Sequence, residues 1–242
     1  MIASRLASAE TRADYESIAL DYYSSDHATT RNFDDATADY FRTRTEDYQE
    51  LLSQTTLDIG CGRGQYGEYF PNVNLGLHYE MDTSPSMLSM PRQHRVDGTI
   101  RGSALRIPLP DDSVDMTTAF LFDPFNVLPF ALEARRVTRA GGVFVGTLPS
   151  YDFASYFRVR NDLPVDRTRF VDQHGHAHVL ESHISSDSEL IARFKNARFT
   201  QVQAIPIMLQ GKRVPSKHVL SAAAFYDIPV ASLSIITMLV CR

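Results

Sequence analysis

The feature that most constrains this chain is a short apolar strand that runs directly into a glycine-rich turn. Residues 57–64 read L-D-I-G-C-G-R-G, with glycines at positions 60, 62 and 64. Glycine lets a loop turn sharply through positive φ and lets a ligand lie against the backbone. A helix that starts in such a loop offers free N–H groups at its positive end. The pattern is strand, loop and helix, and it predicts an α/β unit that binds a ligand at the loop.

The residues around the glycines narrow the kind of ligand. Asp58, two positions before Gly60, would repel a pyrophosphate but can accept a hydrogen bond from an ammonium group. A dinucleotide loop reads G-x-G-x-x-G, whereas the third glycine here comes one place early. The loop therefore favours an amino-acid-like ligand. Cys61, between two glycines, is interpreted as a small packing residue and not as a nucleophile.

Strands and helices continue to alternate along the chain. Seven strands are predicted, at residues 56–59, 75–81, near 99–101, 114–120, 143–147, 201–208 and 233–241. Helices are predicted at 129–138 and at 186–196, the latter opened by capping-box spacing, and residues 140–142 are expected to break the chain before the fifth strand. Such alternation implies an α/β fold with a mostly parallel, doubly wound sheet and helices on both faces.

Polar and small residues follow the predicted strands at one edge of this sheet. Asp82 ends the second strand, where doubly wound nucleotide sites place a carboxylate for ribose hydroxyls. Ser103 and Ala104 follow the third strand, and Phe120 ends the fourth. Because the carboxyl ends of parallel strands share an edge, these residues are expected to flank an adenine.

Four segments, in order, resemble the class I S-adenosylmethionine-dependent methyltransferases, in particular the small-molecule branch that is methyltransferase type 11/25-like. Residues 58–64 resemble D-x-G-x-G-x-G, and residues 81–88 resemble D-x-S-P-x-M-L. Residues 102–111 resemble G-D-A followed by L-P-F-P-D, and residues 133–142 resemble E-x-x-R-V-L-K-P-G-G. The front segment 15–22 is similar to the Y-D-x-x-A-x-x-Y helix that closes over the cofactor in this branch.

The resemblance implies a Rossmann-like sheet of order 3-2-1-4-5-7-6, with the last strand antiparallel, and S-adenosylmethionine as cofactor. By the match, Asp82 binds the ribose, while Ser103 replaces the acidic residue that receives the adenine amino group and weakens that contact. The residues expected to bind the cofactor are Tyr22, Asp58, Gly60, Cys61, Gly62, Gly64, Asp82, Thr83, Met87, Ser103, Ala104 and Phe120.

The chain is expected to divide into an N-terminal helical lid, residues 1–53, and a methyltransferase domain, residues 54–242. Within the second, residues 151–183 are expected to form an irregular insertion above the sheet. It contains four of the eight histidines, at positions 174, 176, 178 and 183, and one of these is the first candidate for a general base. His174, His176 and His178 would share one face of a strand, which leaves a metal pair as an alternative for these three, but no metal is predicted. Asp123 is interpreted as a helix-start carboxylate, with substrate contact as the alternative.

Charge and composition limit the partners. Residues 1–53 carry eleven Asp and Glu against five Arg and Lys, and this acidic front disfavours nucleic acid. No apolar stretch reaches the roughly 20 residues that a membrane span needs, and no secretory start is visible, so the cytoplasm is expected. The two cysteines are expected to remain thiols. Monomer and homodimer both stay open.

The predicted function is methyl transfer from S-adenosylmethionine to oxygen, nitrogen or carbon of a small-molecule acceptor by in-line displacement. Two alternatives stay open from the sequence. In the first, the acceptor is a peptide or a tRNA. In the second, the chain is a scaffold that binds S-adenosylmethionine without turnover. The catalytic residues, the acceptor and the methylated atom are not identified by the sequence, because acceptor contacts in this fold lie in variable lids and insertions.

Overall fold

The computed structural model describes residues 11–12, 14–22, 27–71, 73, 75–210 and 213–242. Part of the predicted N-terminal lid, residues 1–53, therefore lies outside the described residues. None of the helices in these ranges is long and apolar enough to cross a membrane.

The strands form two sheets. In chain order they are β1 (Thr11–Arg12), β2 (Thr56–Ile59), β3 (His78–Asp82), β4 (Gly98–Arg101), β5 (Val114–Ala119), β6 (Thr138–Pro149), β7 (Arg167–Val171), β8 (Ala177–Glu181), β9 (Val202–Met208) and β10 (Ser234–Cys241). The larger sheet has the order β4-β3-β2-β5-β6-β10-β9, and the smaller has the order β1-β8-β7. Strand β10 runs antiparallel to β6 and β9, while β2 to β6 are parallel to one another. Numbered within the larger sheet, this is the predicted order 3-2-1-4-5-7-6.

Helices flank the larger sheet and join its strands. They are α1 (Ala19–Tyr22), α2 (Ala28–Arg42), α3 (Thr45–Leu52), α4 (Tyr66–Tyr69), α5 (Pro85–Leu88), α6 (Leu128–Val137), α7 (Tyr151–Asn161), α8 (Asp187–Asn196) and α9 (Lys217–Phe225). Helix α5 begins at Ser84, whose hydroxyl accepts from Met87 N, with Pro85 at the first helical position. The capping box predicted for α8 is present between Ser186 and Glu189.

Every residue of the central strands β2 and β5 is buried, which requires apolar cover on both faces. One cluster contains Phe41 of α2 and Tyr66 and Tyr69 of α4. The other contains Phe130 of α6 and Phe194 of α8. The sheet is therefore the middle layer of three, as the alternation of strands and helices predicts.

Two local expectations differ from the structure, and one helix was not expected. Residues 151–183 are not irregular: Ser150 caps α7, and β7 and β8 form a hairpin. Residues 140–142 do not precede the fifth strand but lie inside β6, where Gly141 has a φ of +81° and the pairing with β5 shifts register. A positive φ within a register shift is the conformation of a bulge, which a glycine permits without ending the strand. Helix α9 was not predicted.

The aromatic cluster around Phe194 gives a stability prediction. Phe194 is fully buried, and its ring stacks on Phe144 with centroids 5.0 Å apart. We expect Phe194→Ala to lower the free energy of unfolding by about 3 to 5 kcal/mol, through lost burial and a residual cavity. The measurement is urea unfolding followed by circular dichroism. The control is Phe225→Ala, since Phe225 is 65% exposed and should lose less than about 1 kcal/mol. Equal losses in the two variants would contradict this account of the core.

Candidate functional site

A cavity of about 710 Å³ opens at the carboxyl edge of the larger sheet. It is lined by the loop after β2, the ends of β3 and β4 and the residues after β5. Residues 14–16, Tyr22, Glu181 and His183 line its outer side. The volume falls within the range of about 300 to 1,000 Å³ that small-molecule sites occupy.

Eleven of the twelve residues predicted to bind cofactor line this one cavity. They are Tyr22, Asp58, Gly60, Cys61, Gly62, Asp82, Thr83, Met87, Ser103, Ala104 and Phe120. Gly64 does not line it. A Cβ at Gly64, where φ is +81°, would lie 3.0 Å from Glu80 Oε1 and closer still to Arg92, so this glycine makes room for a side-chain pair beneath the loop.

The glycine loop is held in place by the end of β3. Gly60 and Gly62 have φ values of +71° and +53°, a region in which glycine carries no Cβ penalty. Gly60 N and Cys61 N both donate to Met81 O, at 2.7 and 3.0 Å. Gly62 N donates to Asp82 Oδ2 at 2.9 Å. The loop therefore curls over the strand end with its backbone facing the cavity.

Asp82 is the junction between this loop and the start of α5. Its Oδ2 accepts from Gly62 N and its Oδ1 accepts from Ser84 N, each at 2.9 Å. Burial raises the pKa of Asp82, while the backbone donors act in the opposite direction. Since each carboxylate oxygen can accept more than one hydrogen bond, both oxygens can still accept from a ligand hydroxyl.

Asp58 and Cys61 occupy the floor of the cavity. Asp58 is 1% exposed, and its Oδ1 accepts from Thr118 Oγ1 at 2.7 Å. Burial raises its pKa well above the ordinary value, so a cationic group in the cavity would stabilise the carboxylate. Burial also raises the pKa of the Cys61 thiol, which disfavours the thiolate that a nucleophile needs. Both cysteines are free and buried.

The opposite wall carries the residues predicted to flank an adenine. Ser103 Oγ accepts from Leu105 N at 3.2 Å, so this hydroxyl already holds its own loop. Phe120 contributes an aromatic wall and packs edge-on against Tyr69, with ring centroids 4.7 Å apart. The wall offers a flat apolar surface and backbone groups, but no carboxylate at position 103.

The front segment is fastened to α5 by one carboxylate. Glu16 Oε1 accepts from Ser86 Oγ at 2.6 Å, and Glu16 Oε2 accepts from Ser84 Oγ and, at 3.3 Å, from Ser86 N. Hydrogen bonds from the side-chain hydroxyls of Ser84 and, to a smaller extent, Ser86 lower the pKa of Glu16. Tyr22 packs between Tyr15 and Phe170, with centroids 5.6 and 5.9 Å away. Residues 14–22, which we call the cover, therefore contact both α5 and the smaller sheet.

Asp123 anchors the segment that follows β8. It is 7% exposed, does not line the cavity, and accepts from Ser182 Oγ. Arg158 Nη2 donates to Ser182 O and Oγ, both at 2.8 Å, and His183 N donates to Asp123 O at 2.7 Å. Burial raises the pKa of Asp123 to about 6. These contacts fix Ser182 and His183 at the mouth of the cavity.

The four histidines of residues 151–183 separate into two groups. His183 lines the cavity. The other three surround Asp172 at the hairpin turn, where His178 Nε2 and His176 Nδ1 lie 2.9 and 3.2 Å from Asp172 Oδ2 and His174 N donates to Oδ1. None of these three lines the cavity.

Several lining residues were not among the predicted site residues. They are Asp14, Gln65, Tyr69, Arg101, Leu121 and Glu181. No motif marks them, because they reach the cavity from the cover, from the hairpin or from the sides of the loops. Gln65, Arg101 and Leu121 adjoin motif residues in the chain, whereas the packing of distant segments brings Asp14 and Glu181 to the cavity.

Comparison with known proteins agrees with this geometry. Residues 57–146 match the family described as methyltransferase domain. A probable S-adenosylmethionine-dependent methyltransferase of Mycolicibacterium smegmatis is 33% identical over 121 residues, 46% of each chain. A malonyl-[acyl-carrier protein] O-methyltransferase of Yersinia pestis is 34% identical over 100 residues, covering 40% of this chain and 37% of that protein. The matches thus span less than half the length of these curated relatives.

A solved structure shares the fold over nearly the whole chain. It is the complex between the Haloferax volcanii Trm112 methyltransferase activator and a methyltransferase, with a TM-score of 0.64 at 16% identity. The match covers 96% of this chain and 98% of the other. At this identity the likeness supports the fold alone.

The buried Asp123 gives a pH prediction. Its pKa is about 6 in the folded protein against 3.8 for the ordinary group, so the folded state binds more protons between these values. The free energy of unfolding should therefore fall as pH rises through this window, by up to about 3 kcal/mol from this group. Asp123→Asn should remove that contribution.

The test is urea unfolding of the native chain and of Asp123→Asn at several pH values from about 4 to about 7. Asp152→Asn is the control, because Asp152 is exposed on α7 and should leave the native pH dependence unchanged. An Asp123→Asn variant with the same pH dependence as the native chain would contradict the assignment.

Proposed function

We propose that the chain, as a class I S-adenosylmethionine-dependent methyltransferase, transfers a methyl group to a small-molecule acceptor. The observation that carries the proposal is that the glycine loop, Asp58 and Asp82 face one cavity at the carboxyl edge of the sheet. This is the edge at which open α/β sheets bind nucleotide ligands. The family implies S-adenosylmethionine as the cofactor.

The described residues fit the separate parts of this cofactor. Asp82 would hold the ribose hydroxyls through the lone pairs that Gly62 N and Ser84 N leave available. Asp58, buried and with its pKa raised, would accept from the ammonium group of the methionine moiety, which would stabilise its charged form. Phe120 would lie against the adenine. Ser103 would contribute little to recognition of the adenine amino group, because its hydroxyl is bonded to Leu105 N.

The bound cofactor would supply a methyl group that is already activated by a sulfonium. The contribution of the chain is then to hold the acceptor in line with the methyl group and to exclude water. Orientation of two reactants can supply about 7 to 11 kcal/mol of the barrier. The cover serves this purpose, since Glu16 fastens residues 14–22 to α5 and Tyr22 packs on Phe170 of the smaller sheet.

The acceptor would enter beside the segment after β8. Here Tyr15, Glu181 and His183 line the cavity, and the hydrogen bond from His183 N to Asp123 O fixes the local backbone. We assign to His183 the removal of a proton from a hydroxyl or ammonium acceptor. An acceptor without such a proton would need no base. A cover of this kind favours a small acceptor over a peptide or a tRNA, which would need an open groove.

The role of Asp82 gives the first functional test. Asp82→Ala and Asp82→Asn should each weaken S-adenosylmethionine and S-adenosylhomocysteine binding by at least about tenfold, since hydrogen bonds to a charged group contribute about 1.5 to 3 kcal/mol each. The measurement is isothermal titration calorimetry. NAD serves as the ligand control and should not bind to the native chain.

The matched protein control is Asp152→Ala, which changes an exposed aspartate that does not line the cavity. It should keep native affinity for both ligands. The cofactor assignment would be lost if the native chain bound neither ligand or preferred NAD. Unchanged affinity in both Asp82 variants would show that Asp82 does not bind the ribose, but it would leave the cofactor assignment intact.

The role of His183 is tested after small acceptors have been screened by release of S-adenosylhomocysteine. For a hydroxyl or ammonium acceptor, His183→Gln should lower kcat by about 10² to 10⁴. Its affinity for S-adenosylhomocysteine should stay native. The reduction should be smallest at high pH, where the acceptor loses its proton without help.

His174→Gln is the control for this substitution, because His174 is exposed at the hairpin turn and does not line the cavity. It should retain native kcat. A native kcat in His183→Gln would exclude His183 as the general base. If no small acceptor leads to release of S-adenosylhomocysteine but a peptide or tRNA does, the acceptor is a macromolecule and the small-molecule proposal is wrong. The cofactor assignment would be unaffected.

A further inference from the structure

A cluster of buried side chains that can bind a metal ion lies beneath the glycine loop, outside the cavity. His78 and Glu80 are on β3, and His94 is in the segment between α5 and β4. Their side chains are 0%, 0% and 8% exposed. One donor atom of each lies within 4.8 Å of the other two. Two imidazoles and a carboxylate thus converge on one point in the interior.

The converging atoms lie within ion-pair distance of one another but make no well-aligned hydrogen bond. Among the described residues, His78 Nε2, Glu80 Oε1 and His94 Nε2 have no contact with hydrogen-bond geometry, although Oε1 lies 3.0 Å from His94 Nε2. A buried polar atom without a well-aligned partner leaves the desolvation of that group uncompensated. Three such atoms directed at the same point would each gain a partner from one shared cation.

The distances suit a small divalent cation. Glu80 Oε1 lies 3.8 Å from His78 Nε2 and 3.0 Å from His94 Nε2. Bonds of about 2.0 to 2.2 Å in a tetrahedral arrangement separate ligand atoms by roughly 3.3 to 3.5 Å. The observed separations lie on either side of this value, so small side-chain adjustments would complete the geometry.

The surroundings leave the ligand atoms available. Thr56 Oγ1 lies 2.7 Å from His78 Nδ1, so an Nδ1–H donated to this hydroxyl leaves the Nε2 lone pair for a metal. Arg92 Nε contacts Glu80 Oε2 at 2.6 Å and leaves Oε1 to the histidines.

We propose that His78, Glu80 and His94 bind one divalent cation of the zinc class, with water as a fourth ligand. Nitrogen and carboxylate ligands in this combination are typical of Zn²⁺, whereas Mg²⁺ and Ca²⁺ prefer oxygen ligands throughout. A divalent cation would also offset the local charge. The carboxylates of Asp58, Glu80 and Asp82 all interact with the guanidinium of Arg92.

The site is joined to the cofactor loop through two glycines. A Cβ at Gly64 would lie 3.0 Å from Glu80 Oε1, and a Cβ at Gly67 would lie 2.8 Å from His94 Nδ1. The loop and the start of α4 therefore rest directly on two of the three ligands. The cation is structural: it fixes the glycine loop against β3, two residues before Asp82. This assignment does not depend on the transfer reaction.

The test uses the full chain, freed of metal with a chelator and then titrated with Co²⁺ alone. One equivalent should bind and give the visible absorption of four-coordinate cobalt, and one equivalent of Zn²⁺ should abolish that absorption. Either cation should raise the Tm, because binding to the folded state alone stabilises it. No cobalt absorption in the native chain would overturn the proposal.

Variants locate the bound cation. His94→Gln should weaken Co²⁺ binding by at least about tenfold, since the variant removes one ligand of three. The matched control is His176→Gln, in the other histidine cluster, around Asp172 at the exposed hairpin turn. It should bind one equivalent with the native spectrum.

If His94→Gln fails to fold, the His176→Gln variant still distinguishes a cation bound in the interior from one bound at the hairpin. Loss of the cobalt absorption in His176→Gln would move the cation to the hairpin and overturn the proposal. Full retention in His176→Gln, with one equivalent bound, would support the interior site. A correctly folded His94→Gln that binds Co²⁺ with native affinity would overturn it as well.

Discussion

The Asp82 carboxylate is the contact on which the rest of the site depends. It receives Gly62 N on one oxygen and Ser84 N on the other, and so joins the glycine loop after β2 to the first turn of α5. A single carboxylate can connect them because β2 and β3 are parallel neighbours that end at the same edge. The two loops that face the cavity are thereby fixed relative to each other before any ligand is present.

Two further carboxylates, the exposed Glu16 and the buried Asp123, hold the outer side of the cavity. Glu16 binds the serines of α5 from the front segment. Asp123 and Arg158 meet at Ser182 and fix the segment after β8. Each uses hydrogen bonds to hydroxyl or backbone groups, which are directional and therefore determine where a loop lies as well as how strongly it is held. The outer side of the cavity is consequently built by contacts between segments far apart in the chain.

Gly64 shows the limit of interpreting a motif by its residue types. It belongs to the alternate-glycine pattern and was expected to bind cofactor, yet it faces away from the cavity, toward Glu80 and Arg92. The pattern therefore contains two kinds of glycine. Gly60 and Gly62 open the backbone toward the cavity, while Gly64 and Gly67 let the loop approach a buried polar cluster.

The sequence by itself determined the sheet and the floor of the cavity. Strand periodicity, the glycine loop and the carboxylate after the second strand are local patterns, and the chain order of strands and helices restricts how they can join. The sequence did not determine the hairpin of β7 and β8, the contact of Glu16 with α5, or the position of His183. The hairpin pairs residues only 6 to 14 positions apart, so its strands were a local pattern interpreted as irregular chain. Only the tertiary structure decided the other two, because Glu16 lies 68 positions from Ser84 and His183 lies 60 positions from Asp123, and no local pattern encodes such pairings. The same reason explains why His78, Glu80 and His94 drew no attention in the sequence: their side chains meet only when the strand and the following segment pack together.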